Sequence, residues 1–355
     1  NKALEDTGFD VYPIGGLVKK DSIVYKIKSK MYPYVFKKKY LRDREPGVQK
    51  YYAAQVEKAL ASIDYDLVFC PGTSAVTYLK TDKPIVIWLD ATFASGINFL
   101  PYYTNLCAES IRKGNDSSQR ALSKCRLILF SSNWAAKEAI KNYDVDAQKI
   151  KVIPFGANLN CNRNFQDIKL ILNNKDYDIC NLLFVGTDWL NKGGDFVVEV
   201  THLLNQRGIK THLHIVGCKP TGKLPPFVLN HGFISKSTKQ GTKYLDKLYS
   251  LSHFLILHSK AECFGIVFAE ASSFGLPSLA TRVGGIPTAI LDGKNGLTFE
   301  LDESPEKYCD YIETVMSSKQ DYEKLALSSF REYKERLNWD TAGQRVYELI
   351  HAYCK

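Results

Sequence analysis

Two carboxylates, Glu262 and Glu270, stand eight positions apart in the run AECFGIVFAEASSFGLP (261–277), with Phe264 and Gly265 between them. The run before them, HFLILHS (253–259), is apolar enough for a buried strand. After Gly265 the pattern turns helical: Val267, Ala271 and Phe274 fall at i, i+4 and i+7 as a core stripe, and Gly275 and Pro277 supply the stop. A strand that ends in a glycine turn and opens a helix leaves the amides of Gly265, Ile266 and Val267 without intrahelical partners. Such an end favours an anion, commonly a phosphate. Glu270 lies about 7.5 Å further along the axis at ~1.5 Å per residue. From there a carboxylate accepts two hydrogen bonds from a vicinal diol while a diphosphate sits on the helix end. Glu262, just ahead of the helix, lies on the other side of the phosphate, where a sugar would be held. Phosphate, ribose and sugar together describe a nucleotide-sugar.

Three further positions bear on this chemistry. Lys192, in LLFVGTDWLNKGG (182–194), follows a strand and precedes a helix. In open α/β sheets ligands gather at the carboxyl ends of strands, so this cation shares the cleft with Gly265 and is placed to stabilise a departing diphosphate. Asp90 ends the apolar strand of IVIWLDATF (85–93). It either contacts a sugar hydroxyl or the acceptor's proton, or caps the helix that follows. Gly284 and Gly285, ahead of Pro287, form a second amide-rich helix start facing the cleft.

These groups need a scaffold that alternates strands and helices. Short apolar runs at 66–70, 85–89 and 127–131 suit parallel strands buried on both faces, with helices at 49–63 and 134–142 between them. After KVIPFG (151–156) an irregular stretch reads as an interdomain connection. Strands at 182–186, 212–217, 228–232 and 278–280 then repeat the plan, with a helix at 194–207, a polar turn at 293–296 and a closing amphipathic helix at 341–354. A length of 355 residues suits two domains, and 45% hydrophobic residues supply large cores. The nine cysteines form no Cys-x-x-Cys pair and read as reduced residues of a cytosolic protein. No run approaches the length of a membrane span, and none reads as a signal peptide. The opening NKALEDTGFDVYPIGG reads as a helix end followed by a second strand, so a first βα unit is expected to be missing.

Glu-x7-Glu with its internal Phe-Gly, followed by GLPSLATRVGGIPTAILDGKNGLTF (275–299), resembles the retaining glycosyltransferases of family four, or glycosyl transferases group 1. In the first domain the resemblance rests on WLDATF and on SSNWAAKEAIKNYDVDAQKIKVIPFGANL. It implies the GT-B fold: two Rossmann-like domains facing each other across a cleft, with the C-terminal helix returning to the first. The expected boundaries are 1–155 for the acceptor-side domain, 156–338 for the nucleotide-sugar domain and 339–355 for that helix. The resemblance places Glu270 at the donor ribose, and Lys192 with the Phe264, Gly265, Ile266 and Val267 segment at the phosphates. Glu262 would hold the transferred sugar, and Asp90 stands where many members carry a His that contacts the sugar near the anomeric carbon. Many members carry Arg where this chain has Thr187, which implies a weaker phosphate grip or one supplied by another residue. The implied reaction moves a sugar to a hydroxyl of a glycan, lipid or small molecule with retention, and uses no cofactor or essential metal. The alternatives are a nucleotide-sugar epimerase of similar fold and a catalytically impaired sugar-nucleotide-binding protein.

Other signals point away from different classes. Asp-x-Asp occurs at 64/66, 144/146 and 176/178, each time before a strand, where a turn is the simpler reading. No Gly-x-Gly-x-x-Gly, nucleophile elbow or histidine ligand spacing is present. The segment 19–50 holds eleven Lys or Arg and three acids, a net of +8 against +9 for the whole chain. It reads either as a solvated loop and helix or as a contact with an anionic membrane, on the inner face of which the protein would be peripheral. No nucleic-acid motif accompanies it.

Overall fold

The computed structural model describes residues 2–20, 22–159 and 161–354. It divides into two compact units, Asn1–Ile153 with Gly343–Lys355, and Pro154–Ala342.

The first unit is built on a four-stranded parallel sheet in the order β1-β2-β3-β4: Val68–Cys70, Ile85–Leu89, Leu127–Phe130 and Ile150–Val152. IVIWL and LILF are buried along their whole length, as expected of parallel strands covered on both faces. The helices Pro46–Leu60, Ala108–Lys124 and Asn133–Asn142 cover them, and the last is capped by Ser132, whose hydroxyl accepts from the Ala135 amide. The second strand expected near the N-terminus does not form. A four-residue helix, Lys2–Glu5, is followed by irregular chain, in which Pro13 lacks a donor and Gly15 and Gly16 resist ordering.

The second unit holds a six-stranded parallel sheet in the order β10-β9-β8-β5-β6-β7. In chain order its strands are β5 Cys180–Val185, β6 Thr211–Val216, β7 Val228–Asn230, β8 Phe254–Leu257, β9 Ser278–Thr281 and β10 Gly296–Phe299. Leu182, Leu183, Phe184 and the whole of β8 are fully buried and form the centre of the core. All pairings are parallel, so every loop after a strand emerges at the same, carboxyl end of the sheet.

The helix after Gly265 is short. It runs only from Ile266 to Ser272, and its buried residues, Phe268 to Ser272, go all the way round. Ala271 and Phe274 lie in the core and half-buried Val267 packs against it, as the spacing predicts, with Phe274 in the turn just beyond the helix end. A helix this short is enclosed by its neighbours, and periodicity carries little information there. The first of the Asp-x-Asp pairs precedes β1. The third makes a turn, with the Asp178 amide donating to Asp176 at 2.9 Å. Helix Trp339–Tyr353 closes the chain, with residues from Gly343 onward in the first unit. No helix among the described residues is long and apolar enough to cross a membrane.

Candidate functional site

β5 and β8 are hydrogen-bonded neighbours, so their following loops meet although they lie some seventy residues apart in sequence. The loop after β5 is stitched to the loop after β8 by three hydrogen bonds: His258 amide to Lys192 carbonyl at 3.1 Å, Lys260 amide to Asn191 carbonyl at 2.8 Å, and Asn191 Nδ2 to Ala261 carbonyl at 3.1 Å. Gly193 completes this seam with φ of 68°; a Cβ there would stand 2.3 Å from the His258 carbonyl oxygen. The seam delivers the Lys192 ammonium onto the Glu262 carboxylate as an ion pair, with side chains 17% and 18% exposed.

Gly265 turns the chain into the helix with φ of 84°, a left-handed conformation that costs a residue with a Cβ roughly 1–2 kcal/mol. Phe264 anchors the turn: it is buried and meets Phe155 edge-on at 5.6 Å. No hydrogen bond from the Gly265, Ile266 or Val267 amide is found among the described residues.

Glu270 is 2% exposed, far from the solvated helix glutamate that its position in sequence would allow. Lys236, from the loop between β7 and the helix Lys239–Leu251, pairs with its Oε1. The Tyr249 hydroxyl donates to its Oε2 at 3.1 Å. Burial first, and the carboxylate second, hold the Tyr249 hydroxyl well above its ordinary range, so it remains a donor. The Lys236 carbonyl is in turn fixed by the Thr242 hydroxyl at 3.1 Å.

Neither Lys236 nor Tyr249 was expected from the sequence. Their signal is faint: a lysine in a polar loop after a strand, and a tyrosine that reads as one more core residue. Besides Lys192 on Glu262, Lys236 supplies a second cation, on Glu270, while Thr187, just beyond β5, is exposed.

The Gly284 and Gly285 loop offers fewer free amides than its sequence suggests. The helix there is only Ile286–Ala289, and the Gly285 amide donates at 3.0 Å to the Glu262 carbonyl. The loop braces Glu262 from behind, and this amide is committed within the protein. Asp90 belongs to the first unit, exposed just past β2, where it lines a groove of 1450 Å³ with Phe69, Gly72, Thr92 and Tyr103. The cap of the following helix is Thr92, which forms a reciprocal box with Ser95, so Asp90 does not cap it. Among the described residues no cluster of three or more His, Cys, Asp or Glu is arranged to hold a metal ion.

Residues 180–318 match the family model described as Glycosyl transferases group 1, so the chain carries a domain of that kind across β5 to β10. A D-inositol 3-phosphate glycosyltransferase of Paenarthrobacter aurescens is 25% identical over 249 residues, 67% of this chain and 60% of that protein. Sucrose-phosphate synthase from Thermosynechococcus elongatus superposes with a TM-score of 0.68 at 16% identity, over 88% of this chain and 80% of that one. Anabaena HepE, solved in complex with UDP-glucose, superposes with a TM-score of 0.61 at 19% identity, over 87% and 84% of the two chains. These likenesses show the fold, two Rossmann-like parallel sheets of the GT-B type. The chain spans about 60% of the length of the first curated relative.

Proposed function

We propose that this protein is a retaining glycosyltransferase of family four, which moves a sugar from a nucleotide-diphosphate-sugar to a hydroxyl acceptor. The observation that carries the reading is the pair of buried or half-buried glutamates flanking Gly265, each already held by a lysine, within the segment that matches the family model. Glu270 takes the ribose diol. Lys192 and the Gly265, Ile266 and Val267 amides take the diphosphate, and Lys236 supports them in place of a cation at Thr187. Glu262 takes the sugar.

In the reaction the bond between the anomeric carbon and the phosphate oxygen breaks, and the acceptor oxygen forms its bond on the same face. The acceptor proton passes to the departing phosphate oxygen. Fixed positive charge offsets the charge that develops there, so the reading includes no cofactor or metal. Asp90 serves the acceptor side, in a domain arrangement of 1–155, 156–338 and a returning helix 339–355. The acceptor is a glycan, a lipid-linked or a small-molecule hydroxyl. A peripheral contact of segment 19–50 with an anionic membrane, from the cytoplasmic side, is the remaining partner.

The test is thermal stabilisation and slow hydrolysis with UDP-, GDP- and ADP-sugars, comparing the wild type with Lys192→Met. One donor should stabilise the wild type and release free nucleoside diphosphate over time, with the variant losing most of the stabilisation. Absence of any response, or equal responses from both proteins, overturns the donor site. Turnover of the free nucleotide-sugar to an isomer without an acceptor would instead mark an epimerase.

A further inference from the structure

The helix Ile23–Val35 has three distinct faces at 100° per residue. One carries Tyr25, Lys28 and Tyr32 and is fastened to the first unit. Lys28 donates to Glu109 at 2.7 Å, Tyr32 donates to the same carboxylate at 2.9 Å, and the Tyr32 ring stacks on Tyr40 at 5.2 Å. Lys113 locks Glu109 in place and bonds the buried Glu45 at 2.7 Å. Lys26, Ser29 and Lys30 occupy a polar face.

The third face, about 120° wide, carries Ile23, Val24, Ile27, Met31, Tyr34 and Val35. All six are exposed, Ile23 at 75% and Tyr34 at 80%. A soluble protein rarely leaves so continuous an apolar face uncovered. Because the opposite side is pinned by Glu109, the helix does not turn this face inward without breaking those bonds.

Charge identifies what covers it. Residues 22–38 include five lysines and no acidic residue. Lys26 and Lys30 flank the apolar face, and Lys37 and Lys38 follow its C-terminal end, all exposed. A second copy would bring like charge against like. A helix of thirteen residues is about 20 Å long, too short to span a bilayer but suited to lying in its interface.

We propose that the helix Ile23–Val35 inserts its apolar face below the headgroups of an anionic phospholipid bilayer. The exposed lysines reach back to the lipid phosphates, with their stems along the apolar boundary. This rests on the peripheral-membrane part of the reading above, not on the donor site.

The test is co-flotation of the protein with vesicles of phosphatidylglycerol and phosphatidylcholine, against phosphatidylcholine alone, at low and high salt. The wild type should bind the anionic vesicles, at least about tenfold more weakly without phosphatidylglycerol, and less at high salt. Ile27→Ser with Tyr34→Ser should reduce binding by about tenfold or more while leaving thermal unfolding unchanged, since both side chains are solvent-exposed. Tyr34→Trp should shift its emission to the blue on binding, which a purely electrostatic contact would not produce. Loss of flotation with an intact response to nucleotide-sugars concerns the membrane surface alone.

The proposal is overturned if no vesicle binds, or if the Ser pair binds as well as wild type. A concentration-dependent dimer abolished by the Ser pair would assign the face to a second copy, and equal competition by RNA would assign the lysines elsewhere.

Discussion

Replacing Glu270 with Gln tests the donor site through the acceptor positions the structure leaves free. A carboxylate offers about four lone-pair positions. Lys236 takes one on Oε1 and Tyr249 takes one on Oε2. Two positions remain, the number a ribose diol requires. The amide of Gln keeps one acceptor oxygen and turns the other position into a donor, so at most one ribose hydroxyl can still donate to it. Hydrogen bonds to a charged group contribute about 1.5–3 kcal/mol and neutral ones about 0.5–1.5. Losing one and neutralising the other costs about 2–4 kcal/mol, or roughly thirty- to several-hundred-fold in Kd. The fold should survive, because Lys236 is 41% exposed and regains water when its partner loses charge.

Titration calorimetry with UDP and GDP, and with the 2′-deoxy form of whichever binds, separates the terms. The deoxy nucleotide should bind more weakly than its parent to the wild type and nearly equally to Glu270→Gln. The reasoning is refuted if Glu270→Gln binds the nucleotide within twofold of wild type. It is equally refuted if removal of the 2′-hydroxyl costs the same in both proteins, for then Glu270 does not touch the ribose.

Further outcomes follow from the same geometry. Gly265→Ala places a Cβ 2.4 Å from the Phe268 ring at φ of 84°; left-handed strain plus overpacking should cost about 2–4 kcal/mol in urea unfolding, and a variant as stable as wild type would remove the turn from the argument. Burial raises the Glu109 carboxyl, but hydrogen bonds from Lys113, Lys28 and Tyr32 outweigh it and bring it down to about 2 from an ordinary 4.5. Its contribution is therefore fully present above about 4.5 and is lost as pH falls towards about 2. Pepsin should then cut within Ile23–Val35 ahead of the remaining chain, and Glu109→Gln should loosen the helix enough for trypsin to cut after the already exposed Lys26 and Lys30 at neutral pH. His253 is held neutral, down to about 3 from an ordinary 6.5, first by burial and then by nearby Lys175. The unfolded chain takes up a proton there that the folded unit refuses, so stability should fall progressively as pH drops from about 6.5 towards about 3. His253→Gln should flatten that slope in pH-dependent urea unfolding.

The parts of this site that the sequence discloses are those set by neighbours along the chain. FLIL and LLFV are apolar on both faces, so they read as buried parallel strands without knowledge of their partners. Gly265 between strand and helix marks the turn, and Lys192 and Glu262 each follow a strand, which puts both at the carboxyl end of a parallel sheet. Their pairing depends on β5 and β8 being adjacent, which the strand order decides. Lys236 and Tyr249 are beyond such reading because they approach Glu270 from 34 and 21 residues away, across the fold. The short helix Ile266–Ser272 limits periodicity for the opposite reason, since from Phe268 to Ser272 it is buried on every side.

The segment Ile23–Val35 shows the same limit more sharply. Ile23, Ile27, Met31 and Tyr34 have the spacing of an ordinary core stripe, and the lysines beside them read as a solvated face. Which face turns inward is decided by Glu109, some eighty residues away, which draws Lys28 and Tyr32 to itself and leaves the apolar residues outside. An amphipathic pattern therefore establishes that a helix has two chemistries. The polar partners it finds elsewhere in the chain determine which of them is offered to the surroundings, and here the apolar one is offered, bordered by Lys26 and Lys30 along one side and by Lys37 and Lys38 at its end.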